Sequence, residues 1–452
     1  MVRCALVVLA LLLIGQIGHT LVISQERKAM ESSDLVSTAQ EVVELLASGN
    51  FLRAESYFDD AMKAALPPEK LRETWNAIVA QAGAFKRQVR TRTEKRGGYD
   101  VVIITCEFAR ANVETQIVFD SAKRIAGLFF APAKEAVEYK PPSYVKPNAF
   151  REKEVTIGSG EWTLPATLAL PTGQGPFPAV VLVHGSGPHD RDETVGPNKP
   201  FRDLAWGLAS RGIAVLRYEK RTKQHADKIK TMRERFTVKE EVVDDALAAV
   251  ALLRRTEGVD ARRIFVLGHS LGGMLVPRIG ASDPNIAGFI VLAGATKPLE
   301  DAIFEQMTYV FSLDGMISKE EEAQLEEIKR QVAQIKGLRP SEANPDANIL
   351  GAPVSYWLDL RGYDPTEAAK SLKQPMLILQ GGRDYQVTMS DFQRWEKALS
   401  KRPNVEFKYY PDLNHLFIEG NGKSSPAEYN VPGHVAETVI ADIADWIKRH
   451  GG

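Results

Sequence analysis

Ile264-Phe265-Val266-Leu267-Gly268-His269-Ser270-Leu271-Gly272-Gly273 is the stretch on which the reading of this chain turns. Its first four residues form an apolar run of strand length, and Met274-Leu275-Val276-Pro277-Arg278-Ile279 continues beyond it with a helix-like pattern. Gly-x-Ser-x-Gly between a strand and a helix forces the serine into a tight, strained turn and lifts its hydroxyl clear of the sheet. Gly268 and Gly272, two positions to either side, carry no side chains to clash where strand and helix cross. Ser270 is therefore the candidate nucleophile.

A hydroxyl is a weak nucleophile at neutral pH, so it needs a base within hydrogen-bond reach, and the base needs a third group to fix its tautomer. On a strand-turn-helix framework of this kind the three follow in the order Ser, acid, His. The run Met376-Leu377-Ile378-Leu379 leads into Gln380-Gly381-Gly382-Arg383-Asp384, which sets a carboxylate just past the carboxyl end of a strand, where reactive groups collect in open parallel sheets. Asp384 is the expected acid; Asp391, in a more helical setting, is its local rival. After the last strand-like run, Tyr409-Tyr410-Pro411-Asp412-Leu413-Asn414-His415 supplies the expected base, His415. His434 is the rival base, and its place at the start of the last helix suits capping better.

Attack on a carbonyl builds negative charge on oxygen, and one preorganised N–H donor there contributes roughly 3 to 4 kcal/mol. The first expected donor is the backbone of Leu271, the residue after the serine. The second comes from the loop after the third strand, His184-Gly185-Ser186-Gly187-Pro188, with Ser186 the expected donor and Gly185 the alternative. His184 reads as a structural residue that holds this loop by side-chain hydrogen bonds. His189-Asp190-Arg191-Asp192-Glu193-Thr194 reads first as a solvated, salt-bridged turn, with charges that orient the oxyanion loop or touch substrate as the alternative, and Glu219 and Lys220 read as structural ions.

Strand and helix patterns alternate around these motifs, as in a parallel sheet covered on both faces. Glu154 to Ile157 and Leu164 to Leu170 form an opening antiparallel pair. Pro178 to Val183, Ile213 to Tyr218, Ile286 to Leu292, Met376 to Leu379 and Val405 to Tyr409 are further strands. Arg202 to Arg211, Val238 to Arg255 and Val435 to Lys448 are helices. Residues 297–373 interrupt the rhythm with a mostly helical, highly charged excursion, placed where a cap would overhang the serine. Tyr356, Trp357, Tyr363, Phe304, Met307, Tyr309, Val310 and Phe311 within it are open to two readings, as the lining of an acyl pocket or as the insertion's own core.

Residues 31–133 are organised differently. Helical patterns at Leu35 to Ala47, Arg53 to Ala65 and Pro68 to Gln81 give way to strands at Phe85 to Lys95, Tyr99 to Phe108, Asn112 to Phe119 and Ile125 to Phe130, which describes a small α+β domain. Residues 134–150, with Pro141, Pro142 and Pro147, read as an extended linker to a second domain spanning 151–452.

With 452 residues, 44% hydrophobic and 25% charged, the chain has ordinary globular composition. A net charge of −1 without long basic blocks leaves no footprint for nucleic acid. Residues 1–24 open with Arg3 and continue as an apolar run from Ala5 to Ile14, the order of a secretory signal, with an uncleaved weak membrane anchor as the alternative; an exported, periplasmic or extracellular protein is expected. Of the two cysteines, Cys4 lies in that segment and Cys106 reads as a small buried hydrophobe. Neither Cys nor His and carboxylates cluster at ligand spacing, so no metal site is expected.

His184 to Glu193, Arg217-Tyr218-Glu219-Lys220-Arg221, the Ser270 turn, Gly381-Gly382-Arg383-Asp384 and Asn414-His415 together resemble the α/β-hydrolase superfamily, in particular bacterial secreted carboxylesterases with a His-Gly-Ser-Gly-Pro-x-Asp-Arg-Asp phrase. The likeness runs from Val155 to the C-terminus. It implies a mostly parallel sheet flanked by helices, with a helical cap. It also implies hydrolysis of small-molecule, short-chain esters through an acyl-serine, without a cofactor. Peptidases and acyl-thioester hydrolases share the same arrangement, and a non-catalytic binding protein on this scaffold is the remaining alternative. Thr115 to Phe130 resembles the curved-sheet cone of nuclear-transport-factor-2-like folds, and the segment around it resembles a small domain of unknown function fused ahead of secreted hydrolases, for which a scaffold or partner-contact role is expected.

Overall fold

The computed structural model describes residues 24–96, 99–133, 139–232, 236–339, 344 and 347–450, so residues 1–23 of the expected signal segment lie outside the described residues, as do residues 134–138 of the expected linker. The chain divides into two compact units between Ala136 and Val137.

In the first unit, helices Ser24–Ala47, Phe51–Glu55, Asp60–Ala65 and Pro68–Ala82 precede four strands, β1 (Phe85–Arg96), β2 (Tyr99–Phe108), β3 (Asn112–Phe119) and β4 (Ile125–Pro132), paired as an antiparallel meander in that order. Val113, Thr115, Ile117 and Phe119 alternate inward along β3, the period-two pattern of a sheet with one face on a core. That core takes Ala39, Val42, Val43 and Leu46 from one stripe of the first helix, together with Trp75 and Phe58. The single helix expected over Arg53 to Ala65 is two helices. Phe58 leaves helical geometry to bridge Ile125, and the Asp59 carboxylate then restarts the chain by accepting the Met62 N–H at 2.7 Å. The first helix also begins earlier than expected, at Ser24.

The second unit is built on an eight-stranded sheet. Its strands are β5 (Phe150–Ile157), β6 (Leu164–Pro171), β7 (Phe177–Val183), β8 (Ala214–Tyr218), β9 (Val259–His269), β10 (Gly288–Leu292), β13 (Met376–Gly381) and β14 (Val405–Tyr410). A two-stranded hairpin, β11 (Asn348–Ile349) and β12 (Ala352–Pro353), lies in the insertion. The spatial order is β5-β6-β8-β7-β9-β10-β13-β14, antiparallel at β5/β6 and β6/β8 and parallel from β8 onward. β7, β8, β10 and the half of β9 from Ile264 onward are almost continuously apolar and buried, as strands covered on both faces must be. From β7 the chain steps outward to β8 and then returns to β9 on the opposite side, so the carboxyl ends of β7 and β9 are neighbours. Such a reversal of direction opens a crevice at the strand ends.

Helices Pro200–Ala209, Asp244–Arg254, Leu271–Ser282, Met389–Leu399 and Glu437–Arg449 pack on this sheet. The expected continuous helix from Val238 instead opens with a π-helical turn, Lys239–Val243, whose Glu241 points inward to the buried Lys220. Between β10 and β13 the insertion supplies helices Leu299–Phe311, Lys319–Gly337, Val354–Leu360 and Pro365–Ala369. It has a small core of its own, in which Trp357 packs with Ile335, Ile349 and Val354 and donates its indole N–H to the Ile349 carbonyl at 2.8 Å.

Cys106 on β2 is fully buried, and burial pushes its thiol up to about 11 against the opposing pull of the Thr115 hydroxyl. A thiol protonated and sealed in this way should resist iodoacetamide at pH 8 in the native protein and react at once in guanidinium, as followed by mass spectrometry.

Candidate active site

Ser270 stands between β9 and the helix Leu271–Ser282 with φ +52° and ψ −114°, a conformation that non-glycine residues rarely adopt. Two close backbone approaches impose it. A Cβ on Gly268 would stand 2.3 Å from the Gly272 carbonyl oxygen, and one on Gly272 would stand 2.3 Å from the Val183 carbonyl oxygen at the end of β7. The Ser270 N–H is held by the Leu292 carbonyl at 3.0 Å. Leu271 opens the helix, where a backbone N–H has no intrahelical acceptor.

Asp384 lies just beyond β13 and is buried. Its Oδ1 accepts the N–H groups of Gln386 and Val387 at 2.8 and 3.0 Å, which leaves Oδ2 to accept from Nδ1 of His415 at 2.6 Å. With Nδ1–H so engaged, Nε2 of a neutral His415 carries the lone pair. The loop that presents His415 is knitted by Asn414, whose Oδ1 accepts from the N–H groups of Leu416 and Ile418 at 3.0 and 3.2 Å. Ser270 and His415 line one cavity of about 280 Å³ together with Ser186, Glu193 and His269. No hydrogen bond joins Ser270 Oγ to the His415 ring among the described residues; such bonds are commonly long in unliganded sites and tighten around a substrate. A second cavity of about 510 Å³ shares Ser186 and Ser270 and runs beneath the insertion, lined by Leu271, Met274, Leu299, Ile303, Tyr356 and Trp357 among others.

The two candidate N–H donors after β7 are used differently. Gly185 N–H is bound to Glu193 Oε1 at 2.6 Å, whereas Ser186 N–H has no acceptor among the described residues and lies in the lining of both cavities. His184 holds its loop as read from the sequence, through Nε2 and the Asp190 carbonyl at 3.0 Å. Burial lowers its pKa to about 3, so the ring is neutral. The segment after it is not the solvated turn expected. Asp192 and Glu193 are buried, Asp192 pairing with Arg217 at 2.9 Å, while Arg191 pairs with Glu154 and Glu219 at 2.6 and 2.9 Å. Arg217 and Lys220 are themselves buried and need anionic partners, and Lys220 finds Glu241 and the Gly185 carbonyl, each at 2.6 Å.

The rivals are committed elsewhere. Asp391 accepts from the backbone and hydroxyl of Thr296, both at 2.8 Å, and closes a capping box with Thr388. His434 pairs with the buried Asp203 at 3.1 Å and is not the cap expected, because the last helix begins three residues later at Glu437. Within the insertion, Tyr356 and Trp357 reach the larger cavity. Tyr363 instead donates to the Met274 carbonyl at 2.9 Å, and Tyr309 stacks on Tyr385 and donates to the Ser424 carbonyl at 2.8 Å. Glu193 was read only as one of several charges in its loop, and His269 was not singled out from the sequence. His269 occupies the variable position of the Gly-x-Ser-x-Gly pattern, and Glu193 sits in a run of charges that reads as surface.

A serine on a strained strand-to-helix turn at the strand ends of a mostly parallel sheet, with an Asp-His couple on the loops after β13 and β14, defines an α/β-hydrolase. Comparison with known proteins agrees: residues 174–421 match the family described as serine aminopeptidase, S33, and residues 39–128 match a protein family of unknown function, DUF3887. The chain is 43% identical over 409 residues to Esterase EstD of Thermotoga maritima, covering 90% of this chain and 94% of that relative. Among solved structures, an esterase of Pyrococcus furiosus aligns with a TM-score of 0.42 and 18% identity, over 69% of this chain and 97% of that one. The chain belongs to the S33 serine aminopeptidase family of α/β-hydrolases, and it is an esterase of the carboxylesterase type.

Because the Val183 carbonyl is backbone and cannot move aside, Gly272→Ala should destabilise the protein by at least about 3 kcal/mol or abolish soluble expression. Gly337→Ala, at a site with open space around it, should leave the melting temperature unchanged by calorimetry.

Proposed function

We propose that the protein cleaves short-chain carboxylic esters through an acyl-Ser270 intermediate, with His415 as general base and Asp384 as its orienting partner. The observation that carries this reading is the 2.6 Å bond between Asp384 and His415 Nδ1, which leaves Nε2 free in a cavity that Ser270 also lines. His415 takes the Ser270 proton as the hydroxyl oxygen attacks the acyl carbon. The alcohol departs with that proton, and water activated by the same imidazole releases the acid. Asp384 stabilises the imidazolium formed in each half-reaction. The N–H groups of Ser186 and Leu271 receive the oxyanion, and neither is committed to an acceptor within the site.

The cavity of about 510 Å³ supports a small ester as substrate, since small-molecule pockets span about 300–1,000 Å³. A peptidase or acyl-thioesterase would use the same three side chains. An aminopeptidase also needs an unpaired carboxylate to hold the substrate ammonium. Among the described residues, the carboxylates lining the two cavities, Glu241 and Glu193, are paired with Lys220 and His269. That favours the ester. The order of charge and apolar residues in 1–24 supports export, and no helix among the described residues is long and apolar enough to cross a membrane.

A p-nitrophenyl ester series assayed beside aminoacyl-arylamides and acyl-thioesters should give its highest kcat/KM on the shortest acyl chains; rapid amide cleavage with negligible ester turnover would overturn the reading. Ser270→Ala and His415→Ala should each lower kcat by about 10⁴-fold or more, and Asp384→Asn by about 10⁴-fold through the wrong tautomer. His434→Ala should stay within about threefold, its lost pairing with Asp203 appearing as a lower melting temperature. Expression in a bacterial host followed by N-terminal sequencing should find the exported protein shortened near residue 24; a full-length N-terminus on membrane-associated protein would favour the anchor.

A further inference from the structure

Glu193 is the one residue of the His189–Thr194 loop held at positive φ, +50°, and it is 2% exposed. A non-glycine residue in that conformation costs on the order of 1 kcal/mol or more and persists where the surroundings demand it. The strain turns its carboxylate inward, where Oε1 accepts the Gly185 N–H at 2.6 Å and Oε2 lies 2.9 Å from Nδ1 of His269. The second contact is a close ion pair rather than an aligned hydrogen bond. On the far side of the same imidazole, Nε2 lies 3.0 Å from the backbone carbonyl of His415. Both ring nitrogens of His269 therefore face groups that only accept, an arrangement that favours the doubly protonated imidazolium.

The wider electrostatics agree. Burial alone would lower the His269 pKa, but the charge of Glu193 and its contact with the ring outweigh that and raise it, with smaller support from the His415 carbonyl and from Asp384. Burial would raise the Glu193 pKa, and the charge of His269 and its contact with the carboxylate hold it below the usual carboxylate range instead.

We propose that Glu193 and His269 are positioning residues that form a buried charged clamp, one end fixing the loop that presents Ser186 N–H and the other fixing the backbone of His415. Ser270 lies between the clamped parts, directly after His269 in the chain. Tying down Gly185 N–H leaves the next N–H, that of Ser186, as the one presented to the cavity. The clamp has a second consequence. The His269 and His415 rings are 4.6 Å apart, so a lone imidazolium at 269 would oppose the positive charge that His415 must carry during turnover. Glu193 cancels that charge. The inference rests on the assignment of Ser270, His415 and Asp384 above.

The test uses the full-length protein, a p-nitrophenyl ester and a fluorophosphonate that labels the active serine. Glu193→Gln and His269→Gln each break the ion pair and leave one buried charge without its counterion. Each should lower kcat by about 10- to 100-fold with KM within about threefold, and slow phosphonylation of Ser270 in proportion. The double variant, with a neutral amide at both positions, should be at least as active per folded molecule as the better single variant, because neither charge is stranded. A single variant that folds and retains full kcat, or a double variant whose loss is the product of the two single losses, would overturn the clamp. If the single variants do not fold, the double variant decides alone: folded and active supports the clamp, and unfolded overturns it in favour of a purely structural pair. Ser270→Ala separates the two readings. Turnover surviving in Ser270→Ala sinks the serine mechanism itself, whereas an inactive Ser270→Ala beside a fully active Glu193→Gln sinks only the clamp.

Discussion

The backbone of Gly272 presses against the carbonyl of Val183, leaving no room for even a methyl group between the elbow helix and β7. This contact locates the other parts of the site. It sets Ser270 directly beside the loop that follows β7, and so sets Leu271 N–H, at the helix start, near the N–H groups of that loop. Because β7 and β9 are neighbours through the reversal of strand order, the two halves of the proposed anion-binding arrangement come from adjacent strand ends and need no long-range adjustment. The Asp384 and His415 loops then approach from β13 and β14 at the same edge of the sheet.

Several groups near the serine are costly to hold in place. Ser270, Glu193 and Ala293, which follows β10, all take positive φ, and Glu193, His269, Lys220, Glu241, Arg217 and Asp192 are buried charges. A buried charge is tolerable only when paired and hydrogen-bonded, and each of these has a partner of opposite sign at 2.6 to 2.9 Å. The apolar mass of the sheet and its covering helices offsets this local cost, which is why strain and charge concentrate where the strands end and not where they pack.

Much of this was legible in the sequence because it depends on local pattern. A strand-length apolar run followed by a turn residue marks a strand end, and Ser270, Asp384 and His415 each sit just beyond such a run. The meander β1–β4 was readable for the same reason. The Glu193–His269 pair was not, because nothing in a string of alternating charges distinguishes a turn lying on water from one folded over a buried Arg217 and Lys220. The break at Phe58 escaped notice too: the helical period runs straight through it, and only the bridge to Ile125, distant in sequence, pulls it out. The roles of the aromatic residues in the insertion depended equally on tertiary context, with Tyr356 and Trp357 at the cavity and Tyr363 stapled to the elbow helix.

The single thiol among the described residues, on β2, is enclosed by the core of the first unit and has no sulfur partner. Neither unit therefore relies on a crosslink formed within the described chain. Within the described residues the fold is held by packing, hydrogen bonds and ion pairs, with no bond that a reductant could cut.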